Sequence, residues 1–242
     1  MTRSRLDLKR IVAFNVTGLL LLLSWAWPHG VLWNDLDDRI FWFFNTLITP
    51  EPNWWDDTLA ILNHRAFDMI SLAIMGLLFL WAMRRDPHPQ RLTRWIGIGV
   101  TMVLTAGVLA LFTTKGISYG HPSPTRFFAN AMRLTDVVSI PTKDSASNSF
   151  PGDHGLMLMV FAGFMLRFAA RRIALLSVAF VVLLSAPRIM VGAHWFSDVY
   201  MGALSIALIA LPWVLCTPLA AATAGRVQRA LARWLPQRVH LG

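Results

Sequence analysis

Arg188, His194 and Asp198 follow one another at spacings of six and four residues within PRIMVGAHWFSD. On a helix, residues four apart share a face. An aspartate that accepts the Nδ1 proton of an imidazole leaves Nε2 free as a base or nucleophile. A guanidinium is a bidentate clamp for a phosphate. Together the three make a phosphoryl-transfer set that needs no metal. The plain alternative is a structural ion pair at a helix end.

A second group lies upstream, in FPGDHG at 150–155. Gly152 and its neighbours expose backbone N–H groups at the start of a helix, which suits an anion. His154 there is placed to protonate a leaving oxygen. The alternative is a loop turn capped by Asp153. An acid beside a phosphate is unfavourable, so Asp153 reads as a residue that orients Lys143 or a sugar hydroxyl, or as the cap. Lys115, His121, Arg126, Arg133, Lys143 and Asp144 occupy the preceding stretch. Lys115 has a plain reading too, as a lysine snorkelling at a membrane boundary. His121 and Arg126 flank the rigid Pro122-Ser123-Pro124 turn. Neither H-x3-H nor HExxH spacing occurs, and a cluster this rich in Arg and Lys repels a cation. No metal and no cofactor is expected.

The elements that must carry these residues are membrane spans. Of 242 residues, 55% are hydrophobic and 14% charged, with a mean hydropathy of +0.52. An average soluble domain holds about 25% charged residues. This excludes a soluble globular enzyme and a disordered chain, and the single Cys216 excludes an intramolecular disulfide. Apolar runs at 11–27, 66–83, 95–114, 156–170, 173–193 and 199–216 predict six spanning helices. The first run is longer than a signal-peptide core and lacks a cleavage site after it. Residues 1–219 form the six-helix domain on this reading. Residues 220–242 form a basic cytoplasmic tail, expected as an interfacial helix with Arg226, Arg229 and Arg233 at helical spacing.

With the N-terminus inside, 15 of the 22 Lys and Arg residues fall on inner segments, with only Asp7 and Asp86 as acids. Both termini are therefore expected in the cytoplasm. The net charge of +9 is a topology signal and a match for anionic membrane lipids, and it requires no nucleic acid. The two long outer stretches are 28–65 and 115–155. Trp33, Trp42, Trp54 and Trp55 suit the interface, and 40–48 predicts a short interfacial helix. The chemistry-bearing residues all fall on the outer side.

R-x5-H-x3-D at 188–198, P-x-x-H at 151–154 and Lys115 resemble the three-part signature of the type 2 phosphatidic acid phosphatase superfamily. The third part matches at every spaced position. The usual second part, Pro-Ser-Gly-His, here reads Pro151-Gly152-Asp153-His154. The usual first part, Lys-x6-Arg-Pro, keeps Lys115 but has no arginine at the expected place, leaving His121 or Arg126 to serve. NHRAFD, SLAIMG, PTKD, SFPGDHG, PRIMVGAHWFSD and LPWVLCTPL further resemble the lipid A 1-diphosphate synthase (Kdo-lipid A phosphotransferase) family, over about 11–219.

The resemblance implies an all-α bundle of six transmembrane helices in the bacterial inner membrane, with a periplasmic site. It implies transfer of the terminal phosphoryl group of undecaprenyl diphosphate to the 1-phosphate of lipid A or Kdo-lipid A. His194 would be the nucleophile, Asp198 its partner and His154 the proton donor. Arg188, Lys115, Gly152, Asp153, His121, Arg126 and Lys143 are the candidates around the phosphates. The rivals are an undecaprenyl diphosphatase or lipid A 1-phosphatase, in which water takes the phosphoryl group, and a lipid transporter. A charged cluster on one side, with no charge at mid-span, disfavours transport.

Overall fold

The computed structural model describes residues 6–26, 31–117 and 119–234. Residues 1–5 with Arg3 and Arg5, Trp27 at the end of the first expected span, residues 28–30 of the first outer stretch, Ser118, and 235–242 with Arg238 lie outside the described residues. In chain order the helices are α1 (Leu8–Ala26), α2 (Val31–Asn45), α3 (Trp54–Asn63), α4 (Arg65–Arg85), α5 (Arg91–Gly116) and the single turn α6 (Pro124–Phe127). A 3-10 turn at Leu134–Asp136 precedes α7 (Asp153–Phe168) and α8 (Arg171–Met190). A π-helical turn, Asp198–Ala203, then runs into α9 (Leu204–Leu215), and α10 (Pro218–Trp234) ends the described chain.

The protein is an all-α, multi-pass membrane protein. Among the described residues five helices are long and apolar enough to cross: α1, α4, α5, α8 and the run Asp198–Leu215. The sequence predicts six. The run expected at 156–170 is α7, whose 16 residues cover about 24 Å at 1.5 Å per residue. That falls short of a hydrocarbon core of about 30 Å. Its start is set by Gly152, and its end comes at Phe168 before the extended Ala169.

α7 is nevertheless the centre of the fold. Leu156, Leu158, Val160, Phe161, Phe164 and Met165 are buried around its whole circumference, against α5, α8 and α9. A helix apolar on every side belongs inside a bundle. The flanking helices instead turn Leu19, Leu20, Leu77, Val103, Val108 and Leu183 outward, as surfaces in lipid do.

α1 packs along α9 through two devices. A Cβ on Gly18 would stand 2.8 Å from Ile209, so only glycine permits this approach. Pro212 within α9 has no N–H, which frees the carbonyl of Leu208. The Asn15 side chain donates to Leu208 O at 3.3 Å and Ile209 O at 3.0 Å. A backbone acceptor in a membrane needs such a partner.

A roof covers the end of the bundle that holds the site. Its first part, α2, runs earlier than the interfacial helix expected at 40–48 and buries Asp37, Phe41 and Asn45. Asn45 exchanges two hydrogen bonds with the backbone of Met132. The second part, α3, begins with a capping box formed by Asn53 and Asp56. Ile48, Leu59, Leu134, Val138 and Val191 form a small core of their own there.

At the opposite end, α10 buries Ala220, Ala224 and Gln228, four residues apart, and exposes Arg226 and Arg229 on the other face. Its buried face lies on α5. A Cβ on Gly97 would collide with the Ala224 carbonyl, and Gln228 donates to Gln90 at 2.8 Å.

Candidate active site

α8 continues through Pro187 to Met190, and Gly192 at φ 77° then turns the chain. A Cβ at Gly192 would meet Phe41 and Thr125 at 2.7 Å. His194 follows in this corner rather than on a helix, so the shared helical face expected for His194 and Asp198 is replaced by a loop geometry. His194 Nδ1 lies 2.8 Å from the Ser149 carbonyl oxygen. A carbonyl only accepts, so Nδ1 carries the proton and donates it. The lone pair of the neutral ring is then on Nε2. Asp198 Oδ2 is farther from the same nitrogen, at 3.6 Å. Asp198 therefore acts on His194 as a nearby charge, and a backbone carbonyl fixes the tautomer.

Ser149 O is placed by the turn before α7. Gly152 sits at φ 77° and donates its N–H to the same oxygen at 3.0 Å. A side chain at Gly152 would be strained at that φ, with its Cβ 3.2 Å from the Asp198 carbonyl. This turn joins the two segments that the sequence singled out.

Asp198 is fully buried. Its Oδ2 accepts from the Trp195 N–H at 2.9 Å, and its Oδ1 lies 3.1 Å from His121 Nδ1. The His121 ring stacks between Tyr119 and Trp195, with centroids 5.2 and 5.7 Å away. Two imidazoles thus share one carboxylate, and the nearer is His121.

Arg188, 6% exposed, donates from Nη2 to Asp68 Oδ1 at 2.6 Å. The same Asp68 oxygen is 3.9 Å from His154 Nδ1, an ion-pair separation rather than a hydrogen bond. His154 Nε2 is buried with no hydrogen-bond partner. The charges acting on His154 are those of Arg188, Asp68, His194 and Lys143. Two histidines, one arginine and one lysine are thus concentrated at the start of α7.

The family model described as the PAP2 superfamily matches residues 94–221. The lipid A 1-diphosphate synthase of Escherichia coli (strain K12) is 42% identical over 216 residues, covering 88% of this chain and 90% of that protein. This chain belongs to the PAP2 superfamily, in the lipid A 1-diphosphate synthase family. No solved structure matches it.

Within this PAP2 chain the expected residues divide into groups. His194, Asp198, His154, Arg188 and Gly152 come together, with Lys143 in electrostatic reach. His121, a candidate for the phosphate surroundings, pairs with Asp198 in the structure. Asp153 Oδ1 receives the Thr113 hydroxyl at 3.1 Å, which ties α7 to α5. Lys115 and Arg126 are exposed and make no side-chain hydrogen bond or ion pair among the described residues. Arg133 donates to Asp144, whose carboxylate also takes the Thr135 N–H and hydroxyl, so both belong to the loop's own scaffold.

The same cluster is bonded to residues that sequence reasoning passed over: Asp37, Asn63, Asp68 and Ser149. An acid at the end of a span was a usable signal for Asp68. Asn63 donates to Pro187 O at 2.9 Å, and its own carbonyl is 3.4 Å from Arg188 Nη1. Asp37 accepts the Ser197 N–H at 2.8 Å and the Ser197 hydroxyl at 2.5 Å.

Burial pushes the Asp37 carboxyl up to about 6 from its ordinary 3.8, against the two Ser197 hydrogen bonds that lower it. A raised carboxyl means that the fold favours the neutral form. Below about pH 4 the carboxyl is protonated whether the chain is folded or not. As pH rises through 6, stability is lost, up to about 3 kcal/mol from this group. Asp37→Asn removes that dependence. Thermal unfolding in detergent at pH 4.5 and 7.5 is expected to show the variant gaining on the parent at the higher pH. A constant difference between the two proteins would contradict the assignment.

Proposed function

We propose that this protein is a phosphotransferase of the bacterial inner membrane that moves the terminal phosphoryl group of undecaprenyl diphosphate to the 1-phosphate of lipid A. His194 Nε2 attacks the terminal phosphorus. The bond to the bridging oxygen breaks, and undecaprenyl phosphate leaves. An oxygen of the lipid A 1-phosphate then attacks the phosphohistidine, which frees His194 and yields lipid A 1-diphosphate. The observation that carries this is the His194 ring, held by the Ser149 carbonyl so that Nε2 bears the lone pair, with His154 and Arg188 beside it.

The geometry supports the following roles. Asp198 stabilises the charge that develops on His194. His154 hands a proton to the departing phosphate oxygen. Arg188, Lys143 and the N–H groups opening α7 balance the transferring oxygens, the main term in such reactions. His121 supports Asp198 rather than the phosphate.

α7 is the sixth crossing on this reading. It starts at the site and α8 ends there, with only two residues joining them, so the chain must go away and return. The basic ends of α4, α7 and α10 and the starts of α5 and α8 lie away from the site. That supports cytoplasmic termini and a periplasmic site. The arginine face of α10 suits the inner headgroups. An apolar cavity of about 490 Å³ runs from Tyr200, two residues past Asp198, down to Arg10 and Arg167 between α1, α7, α8 and α9. Its lining suits a lipid tail.

The test uses purified protein and undecaprenyl diphosphate labelled at the terminal phosphate, with and without lipid A. Label is expected in lipid A. Label released only as inorganic phosphate would make the protein a hydrolase, and no turnover by folded protein would favour the lipid transporter.

A further inference from the structure

We propose that Asp68 is a positioning residue that exchanges partners during the reaction, leaving Arg188 when the donor phosphate arrives and turning to His154 Nδ1. The inference rests on the phosphotransferase reading above. Three observations carry it.

The first is geometric. Asp68 Oδ1 lies between two groups of the site, 2.6 Å from Arg188 Nη2 and 3.9 Å from His154 Nδ1. The second is access. The Asp68 side chain is 40% exposed, whereas Arg188 is 6% exposed. The carboxylate therefore covers the guanidinium on the open side, where a phosphate oxygen would approach it. The third is origin. Asp68 comes from the first turn of α4, ahead of the segment at 94–221 that the superfamily model covers. Among the described residues no other carboxylate pairs with Arg188 or with His154.

The exchange solves an electrostatic problem at each stage. Without a substrate, Arg188, Lys143 and the two histidines stand together, and Asp68 offsets part of that charge. A terminal phosphate carries more charge than one carboxylate and offers more acceptor oxygens, so it takes Arg188 over. Asp68 then needs to close a gap of about an ångström to accept the His154 Nδ1 proton. An imidazole held this way keeps its other nitrogen, Nε2, aimed and charged for delivery of a proton to the leaving phosphate. That Nε2 is the buried atom without a partner. Its partner on this account is the bridging oxygen of the donor. Asp68 touches neither phosphorus nor its oxygens and acts through Arg188 and His154.

Asp68→Asn separates binding from turnover. With no carboxylate competing for Arg188, the KM for undecaprenyl diphosphate and the inhibition constant of inorganic phosphate are expected to fall, by about 3- to 10-fold. With His154 no longer held, kcat is expected to fall on the order of tenfold to hundredfold. Asp68→Glu restores the charge and is expected to recover most of kcat. A plain structural role would raise KM as kcat falls, and that outcome overturns the proposal. So does an unchanged phosphate inhibition constant. If Asp68→Asn does not fold, Asp68→Ser reads the same split. Absence of transfer by the parent protein would sink the phosphotransferase reading instead, and phosphate affinity measured directly by calorimetry on parent and Asp68→Asn still decides the exchange at Arg188.

Discussion

His194→Ala is expected to abolish transfer to lipid A and release of inorganic phosphate together, each on the order of 10⁴-fold or more. Both outcomes draw on one phosphohistidine, so losing the nucleophile cannot spare either. The substitution should leave the fold intact. Ser149 O loses the imidazole but keeps the Gly152 N–H at 3.0 Å. Asp198 keeps the Trp195 N–H and His121. No buried carbonyl or carboxylate is therefore orphaned, and the thermal unfolding curve should move little. The second readout is the intermediate itself. Acid-labile label bound to protein should appear in the parent during turnover and be missing from the variant. Persistent transfer at more than about 1% of the parent rate would contradict the scheme, because it would mean direct attack by one phosphate on the other.

The legibility of this site follows from where its chemistry is encoded. Arg188, His194 and Asp198 are close in sequence, and their side-chain types name their task before any fold is known. The 150–155 segment was legible for the same reason, through Gly152 and His154. What escaped was of two kinds. The Nδ1 acceptor of His194 is a backbone carbonyl, and a carbonyl has no residue-type signature; any residue at position 149 could present one. Asp37, Asn63 and Asp68 reach the site only through tertiary packing of α2, α3 and α4 on the end of α8. Their spacing from Arg188 and Asp198 exceeds 100 residues, so no local pattern announces them.

Lys115 and Arg126 show the converse. A basic residue at an outer boundary reads alike whether it holds phosphate or faces solvent, and the exposure of both is compatible with either role. Among the spans, apolar length alone marks α1, α4, α5 and the run Asp198–Leu215, and it marks α8 despite the Pro187-Arg188 interruption. The 156–170 run marks α7, whose 16 residues are short for a span; a helix buried on all sides does not need the full thickness of the lipid to be stable, because its neighbours supply the apolar contact.

Arg188→Lys is the sharpest test of the phosphate clamp, with kcat/KM for the donor expected to fall on the order of 10²- to 10³-fold. The lysine keeps the positive charge but not the planar fork. In the parent, Nη2 faces Asp68 and Nη1 faces the Asn63 carbonyl, so the guanidinium plane is oriented from the junction of α3 and α4. An ammonium on a shorter reach cannot hold both directions and still meet two phosphate oxygens. The comparison with Arg188→Ala apportions the loss. Alanine removes charge as well as shape and leaves Asp68 facing the incoming phosphate unbalanced, so it should be worse than lysine by a further tenfold or so. Neither change should unfold the protein, because the half-exposed Asp68 carboxylate can turn to water once the guanidinium is gone. Rates of the two variants measured at 50 and 500 mM salt separate the effects further. The extra loss in Arg188→Ala is one of charge and is expected to shrink at high salt, whereas the loss in Arg188→Lys is one of bidentate geometry and persists at both concentrations. If lysine matched arginine within a few-fold at both salt concentrations, Arg188 would be a general positive charge at the site, and the clamp would have to be sought in Lys143 and the first turn of α7.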